Sequence, residues 1–167
     1  MPIAIGFGGN LGGDATILQR FVAAREALAA LGAVRSSALY RAAPIGPAQP
    51  DYLNAAVSLA IVDVQPAELI ASVLELELLA GRDRRGEVHW GPRAIDLDVL
   101  VWDERIVDEP GLRVPHPRVH ERRFALLPLI DLYGEDRVIV GPGAGRTLRV
   151  LAAAVASQRV ERVRDRW

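Results

Sequence analysis

Cysteine and lysine are both absent from this chain of 167 residues, and aromatic residues make up only 5% of it. Without cysteine, the chain can form no disulfide, no thiolate nucleophile and no cysteine-ligated zinc site. Without lysine, it can form no Schiff base, no Ser-Lys dyad and no phosphate-binding lysine of the P-loop type. Every basic side chain other than histidine is therefore an arginine.

The chain also lacks a strong excess of charge and a hydrophobic run of membrane length. Its formal net charge is −1, so any affinity for phosphate must be local, and no nucleic-acid partner is expected. No apolar stretch reaches the roughly 20 residues that span a bilayer, and the first residues lack the basic region of a signal peptide. We expect one domain, residues 1–167, that is a cytoplasmic monomer without a membrane partner.

Apolar periodicity predicts a βαββαβ order in the first part of the chain. The strands are expected at 2–8, 34–41, 52–62 and 95–101, with helices between Asp14 and Gly32 and between Pro66 and Gly81. This order is that of an α+β, ferredoxin-like fold, in which an antiparallel sheet carries both helices on one face. Residues 103–167 are expected to form a C-terminal α/β extension that packs on the sheet. Its predicted elements are helices near 121–127 and 147–156, a strand at 138–140 and a solvated basic tail.

A glycine-rich turn at 8–13 follows the first predicted strand. It lacks the Gly-Lys-Ser/Thr ending of a P-loop, and Leu11 occupies the third glycine position of a dinucleotide-binding fingerprint. We therefore interpret this segment as a structural turn.

Two carboxylates, Asp96 and Asp98, stand at the head of the strand predicted at 95–101. Successive side chains on a strand point to opposite faces, so these two acids share one face. Their Cβ atoms are then expected about 6–7 Å apart, from where they can converge on one or two hard cations. For an Asp-x-Asp pattern alone, the alternative is a solvated face or pairing with local arginines, because buried unpaired charge is costly.

Arginines and histidines flank this acid pair on both sides in the sequence. They are Arg82, Arg84, Arg85 and Arg93 before it, and Arg113, His116, Arg118, His120, Arg122 and Arg123 after it. A polyphosphate site requires this combination, because metal ions bridge phosphate oxygens and guanidinium groups bind the remaining ones. The surroundings therefore favour phosphoryl transfer, although any single arginine could instead form a surface ion pair.

Five motifs occur in the order that is typical of one known family. They are Pro-Ile-Gly-Pro at 44–47, Gln-Pro-Asp-Tyr-Leu-Asn-Ala-Ala at 49–56, Gly-Arg at 81–82, Trp-Gly-Pro-Arg-Ala-Ile-Asp-Leu-Asp at 90–98 and Val-Pro-His at 114–116. Together they closely resemble the 6-hydroxymethyl-7,8-dihydropterin pyrophosphokinases of folate biosynthesis. The resemblance runs from about residue 3 to residue 130, and more loosely to the end.

The resemblance implies an ATP-dependent pyrophosphoryl transferase. Such an enzyme moves the β,γ-pyrophosphoryl unit of ATP to the pterin hydroxymethyl oxygen and releases AMP. Asp96 and Asp98 would hold two Mg²⁺ ions, and Arg82 and Arg93 would neutralise charge on the transferring group. The residues implied for ATP binding are Glu77, Arg84, Trp90, Arg93, His116 and Arg122.

The resemblance also implies a pterin site. The ring would stack between Tyr52 and Phe124, because a flat heterocycle is well held between two aromatic faces. Asn54 would read the polar edge of the ring, since an amide offers both a donor and an acceptor. The backbone around Ala42, Pro44 and Ile45 would complete this edge, and Trp90 would close over the site.

Other interpretations remain open at this stage. The same scaffold could be a non-catalytic ligand-binding module, because fold does not determine function. An RNA-binding domain of this topology would need aromatic and basic residues on its central strands, which here carry mainly Val, Ala, Ile and Leu. A metal-dependent phosphohydrolase could use the same acid pair, and Tyr52 and Phe124 could be ordinary core aromatics.

Overall fold

The computed structural model describes residues 2–83, 91–141 and 143–167. Its strands, numbered along the chain, are β1 (Ile3–Gly9), β2 (Ala33–Ser36), β3 (Leu39–Ala42), β4 (Tyr52–Ala60), β5 (Asp96–Trp102), β6 (Val107–Glu109), β7 (Leu112–Val114) and β8 (Val160–Arg164). The main sheet has the order β5-β1-β4-β3-β8, with β2 also paired to β4, and its pairs are antiparallel. This arrangement confirms the predicted α+β, ferredoxin-like core.

Helices cover both faces of this sheet. They are α1 (Gly13–Ala29) and α2 (Pro66–Leu79) on one face and α3 (Arg123–Tyr133) and α4 (Leu148–Ala154) on the other. Alternation along β1 sends Ile3, Ile5 and Phe7 into the core under α1 and α2, while Ala4 faces α3. The C-terminal extension therefore packs on the face of the sheet opposite α1 and α2, through α3 and α4, as predicted.

Both helices of the βαββαβ core begin at residues that favour a helix N-terminus. α1 follows Gly12, whose φ of 94° suits glycine. α2 has Pro66 in its first turn and a reciprocal capping box between Gln65 and Glu68, which satisfies backbone donors that the helix leaves unpaired. Among the described residues, no helix is both long enough and apolar enough to cross a membrane.

The predicted strand at 34–41 is divided in two by Ser37 and Ala38. The Ser37 Oγ accepts the amide of Ala56 at 2.9 Å, and the Ala38 amide donates to Asp131 at 3.0 Å. These side-chain contacts replace regular ladder bonds, which interrupts the strand. The predicted strand at 138–140 is also wrong, since that segment contributes only an isolated bridge from Val138 to Thr147.

The tail interpreted as a solvated face contains β8, which pairs with β3 at the edge of the main sheet. Beyond it, the Trp167 ring packs against Phe7 and Phe21, with ring centroids 5.4 and 5.7 Å away. Its indole also donates to the Ser37 carbonyl at 3.0 Å. The C-terminal segment is therefore an integral part of the fold.

Candidate active site

A cavity of about 230 Å³ opens on the α3 face of the sheet. Its floor is β1, β4 and β5, and its walls come from the loop after β3 and from the segment before and within α3. The residues that line it are Gly6, Phe7, Gly8, Ala42, Ala43, Ile45, Tyr52, Asn54, Ala55, Arg93, Asp96, Asp98, Leu100, His116, Arg118, Val119, Arg122, Phe124 and Ala125. Most of the predicted site residues thus line this one cavity.

Gly8 of β1 keeps part of the cavity floor open. It pairs in register with Asp96 on one side and with Asn54 on the other. Because Gly8 carries no side chain, space remains between the Asp96 carboxylate and the Asn54 amide. Gly6 pairs with Asp98, but the Leu100 side chain covers it, with carbons 3.1–3.2 Å from where a Cβ would lie.

Asp96 is held by two arginines. Arg93 contacts its Oδ2 at 2.7 Å, and Arg82 contacts its Oδ1 at 2.6 Å. Arg82 is almost fully buried and also pairs with Glu77, whose Oε1 accepts the Leu97 amide at 2.8 Å. Asp96 therefore sits in a charge-balanced network that fixes the start of β5.

Asp98 has a different environment. The nearest basic groups, His116 Nε2 and Arg122 Nη1, each lie 3.8 Å from its Oδ2. The carboxylate accepts no hydrogen bond from the described residues. Desolvation raises the pKa of Asp98 most, and repulsion from Asp96 adds to it, so that the pKa is about 7. The Asp98 side chain nevertheless keeps 39% of its surface exposed, on the cavity side. A cation here would remove both penalties.

His116 is a neutral imidazole beside this acid. Burial, and then the positive charge of Arg122, lower the pKa of His116 to about 4. Its backbone amide donates to the Leu100 carbonyl at 2.9 Å, which attaches this segment to β5, and its Nδ1 accepts the Arg118 amide at 3.1 Å. Nε2 faces Asp98 and the cavity, with Arg122 Nη1 3.5 Å away.

Tyr52 and Phe124 form the aromatic part of the cavity, with Asn54 below them. The Tyr52 hydroxyl donates to the Gly91 carbonyl at 2.8 Å, and the Asn54 amide donates to the Tyr52 carbonyl at 3.3 Å. Asn54 is buried except toward the cavity. The Arg122 guanidinium lies 5.7 Å from the centre of the Phe124 ring, so the aromatic and cationic walls meet.

The structure brings together most, but not all, of the predicted site residues. Glu77 and Arg82 lie behind Asp96 instead of on the cavity wall, because each satisfies the other's charge inside the protein. Pro44 sits between the lining residues Ala43 and Ile45 without lining the cavity itself. Arg84 and Trp90 lie outside the described residues.

Comparison with known proteins identifies the family. The family model described as 7,8-dihydro-6-hydroxymethylpterin-pyrophosphokinase (HPPK) matches residues 4–134. The chain belongs to this family. It is therefore an enzyme of the pyrophosphokinase class, as the motifs predicted.

Curated relatives support this assignment over most of the chain. A 2-amino-4-hydroxy-6-hydroxymethyldihydropteridine pyrophosphokinase of Pseudomonas aeruginosa is 35% identical over 162 residues, which cover 96% of each chain. The protein with this name in Synechocystis is 36% identical over 144 residues, or 86% of this chain and 71% of that one. The Bacillus subtilis protein is 37% identical over 129 residues, covering 77% and 75%.

Solved structures support the fold. Plasmodium falciparum HPPK-DHPS wild type with SDX-DHP aligns with a TM-score of 0.64 and 14% identity over 94% of this chain. The wild type with pteroate gives a TM-score of 0.65 and 14% identity over 93%. This chain spans only 44% and 42% of those longer chains.

The sequence analysis did not select Asn10, which supports the site from outside the cavity, and named Arg118 only among the basic residues that flank the acid pair. The Asn10 amide donates to Pro50 O at 2.9 Å, and its Oδ1 accepts the Arg93 amide at 2.8 Å. This buried side chain thus ties the loop before Tyr52 to the segment that carries Arg93. Its position in the glycine turn was the only signal, and that turn was interpreted as purely structural. Arg118 lines the cavity beside His116, and its place in a run of arginines gave no reason to select it.

A second, more open cavity adjoins the first at Asp98 and His116. Its other walls are Ile70, Leu97, Val99, 108–113 and Pro117. A molecule that extends across Asp98 could therefore occupy both cavities. Within the described ranges, no group of three or more His, Asp or Glu side chains is arranged to hold a metal ion by itself.

Proposed function

We propose that this enzyme transfers the pyrophosphoryl group of ATP to the hydroxymethyl oxygen of 6-hydroxymethyl-7,8-dihydropterin and releases AMP. The observation that carries the proposal is one cavity in which an aromatic slot with a buried amide meets a carboxylate pair and arginines. Family membership gives the reaction class, and the aromatic and charged ends of the cavity support adjoining sites for the two substrates. Aromatic stacking suits the pterin, and the charged end suits polyphosphate.

In the proposed pterin complex, the ring lies between Tyr52 and Phe124. The Asn54 amide faces the polar edge of the ring, and the backbone of Ala42 and Ala43 forms the far wall. The open floor over Gly8 lets the ring approach the sheet. The hydroxymethyl group then points toward Asp96 and Asp98.

In the proposed nucleotide complex, the phosphates cross Asp98 and the nucleoside occupies the second cavity. His116 lines both cavities where they join, and Arg122 lies 3.8 Å from the Asp98 carboxylate at this point. Arg93 lines the first cavity beside Asp96. The guanidinium groups of Arg93 and Arg122 can donate to phosphate oxygens, and neutral His116 can donate from Nε2. These groups stabilise negative charge that spreads over the transferring unit.

The acid pair fits magnesium. Both carboxylates offer hard oxygen ligands, and a bound cation would stabilise the ionised form of Asp98, whose pKa is raised. We propose that Asp96 and Asp98 would hold two Mg²⁺ ions. Bound magnesium would polarise the phosphates and lower the pKa of the attacking hydroxyl.

The chemical step requires mainly alignment. A bond forms between the pterin hydroxymethyl oxygen and the β-phosphorus, and the bond from the β-phosphorus to the oxygen retained by AMP breaks. The hydroxyl proton passes to solvent. Tyr52, Phe124 and Asn54 hold the acceptor, and the arginines hold the phosphates, so the protein contributes position and charge.

We also propose that residues 1–167 work as one pterin pyrophosphokinase domain and as a monomer. The support is that β1, β4, β5 and α3 of the same chain supply the cavity.

Chromatography of the nucleotide products tests the proposed function. The protein is incubated with ATP and Mg²⁺, with and without 6-hydroxymethyl-7,8-dihydropterin. We expect AMP only when the pterin is present. ADP as the product, or AMP that forms equally without pterin, would overturn the proposal.

A further inference from the structure

Gln158 and Arg159 lie in the turn between α4 and β8, outside the cavity. We call these two residues the C-terminal clasp. Although they are adjacent in sequence, their side chains run to opposite walls of the cavity. One wall is the loop 43–51, and the other is the segment 121–124.

Gln158 binds both sides of Arg122. Its Oε1 accepts the Arg123 amide at 2.8 Å, and its Nε2 donates to the Glu121 carbonyl at 2.7 Å. The Arg123 guanidinium in turn donates hydrogen bonds to the carbonyls of Ala156 at 2.8 Å and Gln158 at 3.1 Å. The segment that presents Arg122 and Phe124 to the cavity is therefore fastened to the clasp.

Arg159 binds both ends of the loop 43–51. Its carbonyl accepts the Ala43 amide at 3.2 Å, directly after β3. Its Nη2 donates to both carboxylate oxygens of Asp51 at 2.9 Å, directly before Tyr52. One residue thus holds the points where the loop leaves one strand and enters the next.

We propose that Gln158 and Arg159 are positioning residues that set the width of the slot between the loop 43–51 and the segment 121–124. The inference rests on the proposed function, because the slot is where we place the pterin between Tyr52 and Phe124. Neither clasp residue lines the cavity, so each acts through the residues that it holds.

The two clasp residues have different predicted effects on the substrates. Arg159 holds only the loop on the pterin side, whereas Gln158 holds the segment that carries both Phe124 and Arg122. Loss of the Arg159 side chain should therefore weaken pterin binding alone. Loss of the Gln158 side chain should weaken the binding of pterin and of ATP.

Steady-state kinetics of the full chain test this difference. We expect Arg159→Ala to raise the pterin KM about three- to fivefold, the range for one half-exposed ion pair, with the ATP KM unchanged. Gln158→Ala should raise both KM values by about fivefold or more, because it removes two hydrogen bonds. The matched control is Arg164→Ala, an exposed arginine of β8 that does not line the cavity, and it should change neither KM.

A charge exchange separates positioning from a general loss of stability. Arg159→Asp should raise the pterin KM. The double variant Asp51→Arg with Arg159→Asp can restore the ion pair with its sign reversed, so its pterin KM should return most of the way to the wild-type value. Unchanged KM values in both alanine variants, or no recovery in the double variant, would overturn the clasp proposal.

Hydrogen exchange of the ligand-free protein gives a readout that does not depend on turnover. Arg159→Ala should speed amide exchange in 43–51, and Gln158→Ala should speed it in 121–125. If these changes occur but wild-type protein never forms AMP, the proposed function fails and the clasp stands. If wild-type protein turns over and neither variant alters exchange or KM, the clasp fails and the function stands.

Discussion

Gly8 and Asp96 pair across the β1–β5 ladder, and a Cβ on Gly8 would lie 3.8 Å from the Asp96 Cβ. The same Cβ would lie 3.6 Å from the Asn54 Oδ1 on the other side. Both separations are ordinary van der Waals contacts. A methyl group at this position would therefore fit the fold but occupy the floor between the acid and the amide.

We expect Gly8→Ala to raise the pterin KM about tenfold with little change in the melting temperature. The methyl group takes space that the flat ring requires, and a loss of about 1.4 kcal/mol in binding corresponds to this factor. Calorimetry and pterin titration measure the two effects. Gly9→Ala is the contrasting variant, because its Cβ would approach the Ala94 carbonyl oxygen to 2.9 Å and should lower the melting temperature.

Asp98→Asn should lower activity strongly without destabilising the metal-free protein. The substitution removes a carboxylate whose pKa is raised to about 7, so at pH 8 it removes a charge that the fold disfavours. We expect a gain of about 1 kcal/mol in unfolding free energy, after allowance for solvent screening, and a loss of about 10³-fold in kcat. Asp136→Asn, at an exposed acid, is the control. A stable Asp98→Asn variant that kept full activity would refute the metal role.

Substitution of Arg82 should mainly lower stability, whereas substitution of Arg93 should mainly lower activity. Arg82→Ala leaves the Glu77 carboxylate buried without its guanidinium, and should cost about 3–5 kcal/mol of unfolding free energy. Arg93→Ala removes a side chain that is 23% exposed beside Asp96, so it should cost about 1 kcal/mol. It should lower kcat about 10²–10³-fold. Urea unfolding and kinetics measure these values, and equal stability losses would contradict the assigned positions.

Phe124→Ala should raise the pterin KM about 10-fold and leave the ATP KM within about twofold, because stacking is worth about 0.5–1.5 kcal/mol beyond burial. Phe124→Leu keeps an apolar wall without an aromatic face and should show an intermediate effect. Substrate titrations of both variants measure this series. An equal rise in both KM values would place the pterin elsewhere.

The sequence predicted the central strands and the acid pair because their signals are local. The strand patterns at Tyr52–Ala60 and Asp96–Trp102 have strong apolar character, and period-two alternation puts Asp96 and Asp98 on one face. β8 carries three charged residues and is mostly exposed, so its pairing with β3 depends on tertiary context. The break at Ser37 likewise depends on a distant partner, Asp131.

The contacts of Glu77 and Asn10 could not be predicted for a similar reason. Its spacing after Leu69 and Val73 places Glu77 on the buried face of α2. Nothing in the sequence, however, indicates that its carboxylate there meets Arg82 and the Leu97 amide. The bonds of Asn10 join segments 40 and 83 residues away along the chain. Such long-range contacts are determined by packing, whereas residue type and order were enough to select the acids and aromatics that line the cavity.

The central claim is that the β- and γ-phosphates move to the pterin as one unit, and ³¹P NMR of the reaction products tests it most directly. With ATP, Mg²⁺ and 6-hydroxymethyl-7,8-dihydropterin, we predict AMP and a pterin product with two coupled phosphorus resonances, in equal amounts. The Asp98→Asn variant should give far less of both products in the same time. A pterin product with a single phosphorus resonance and matching ADP would contradict the account.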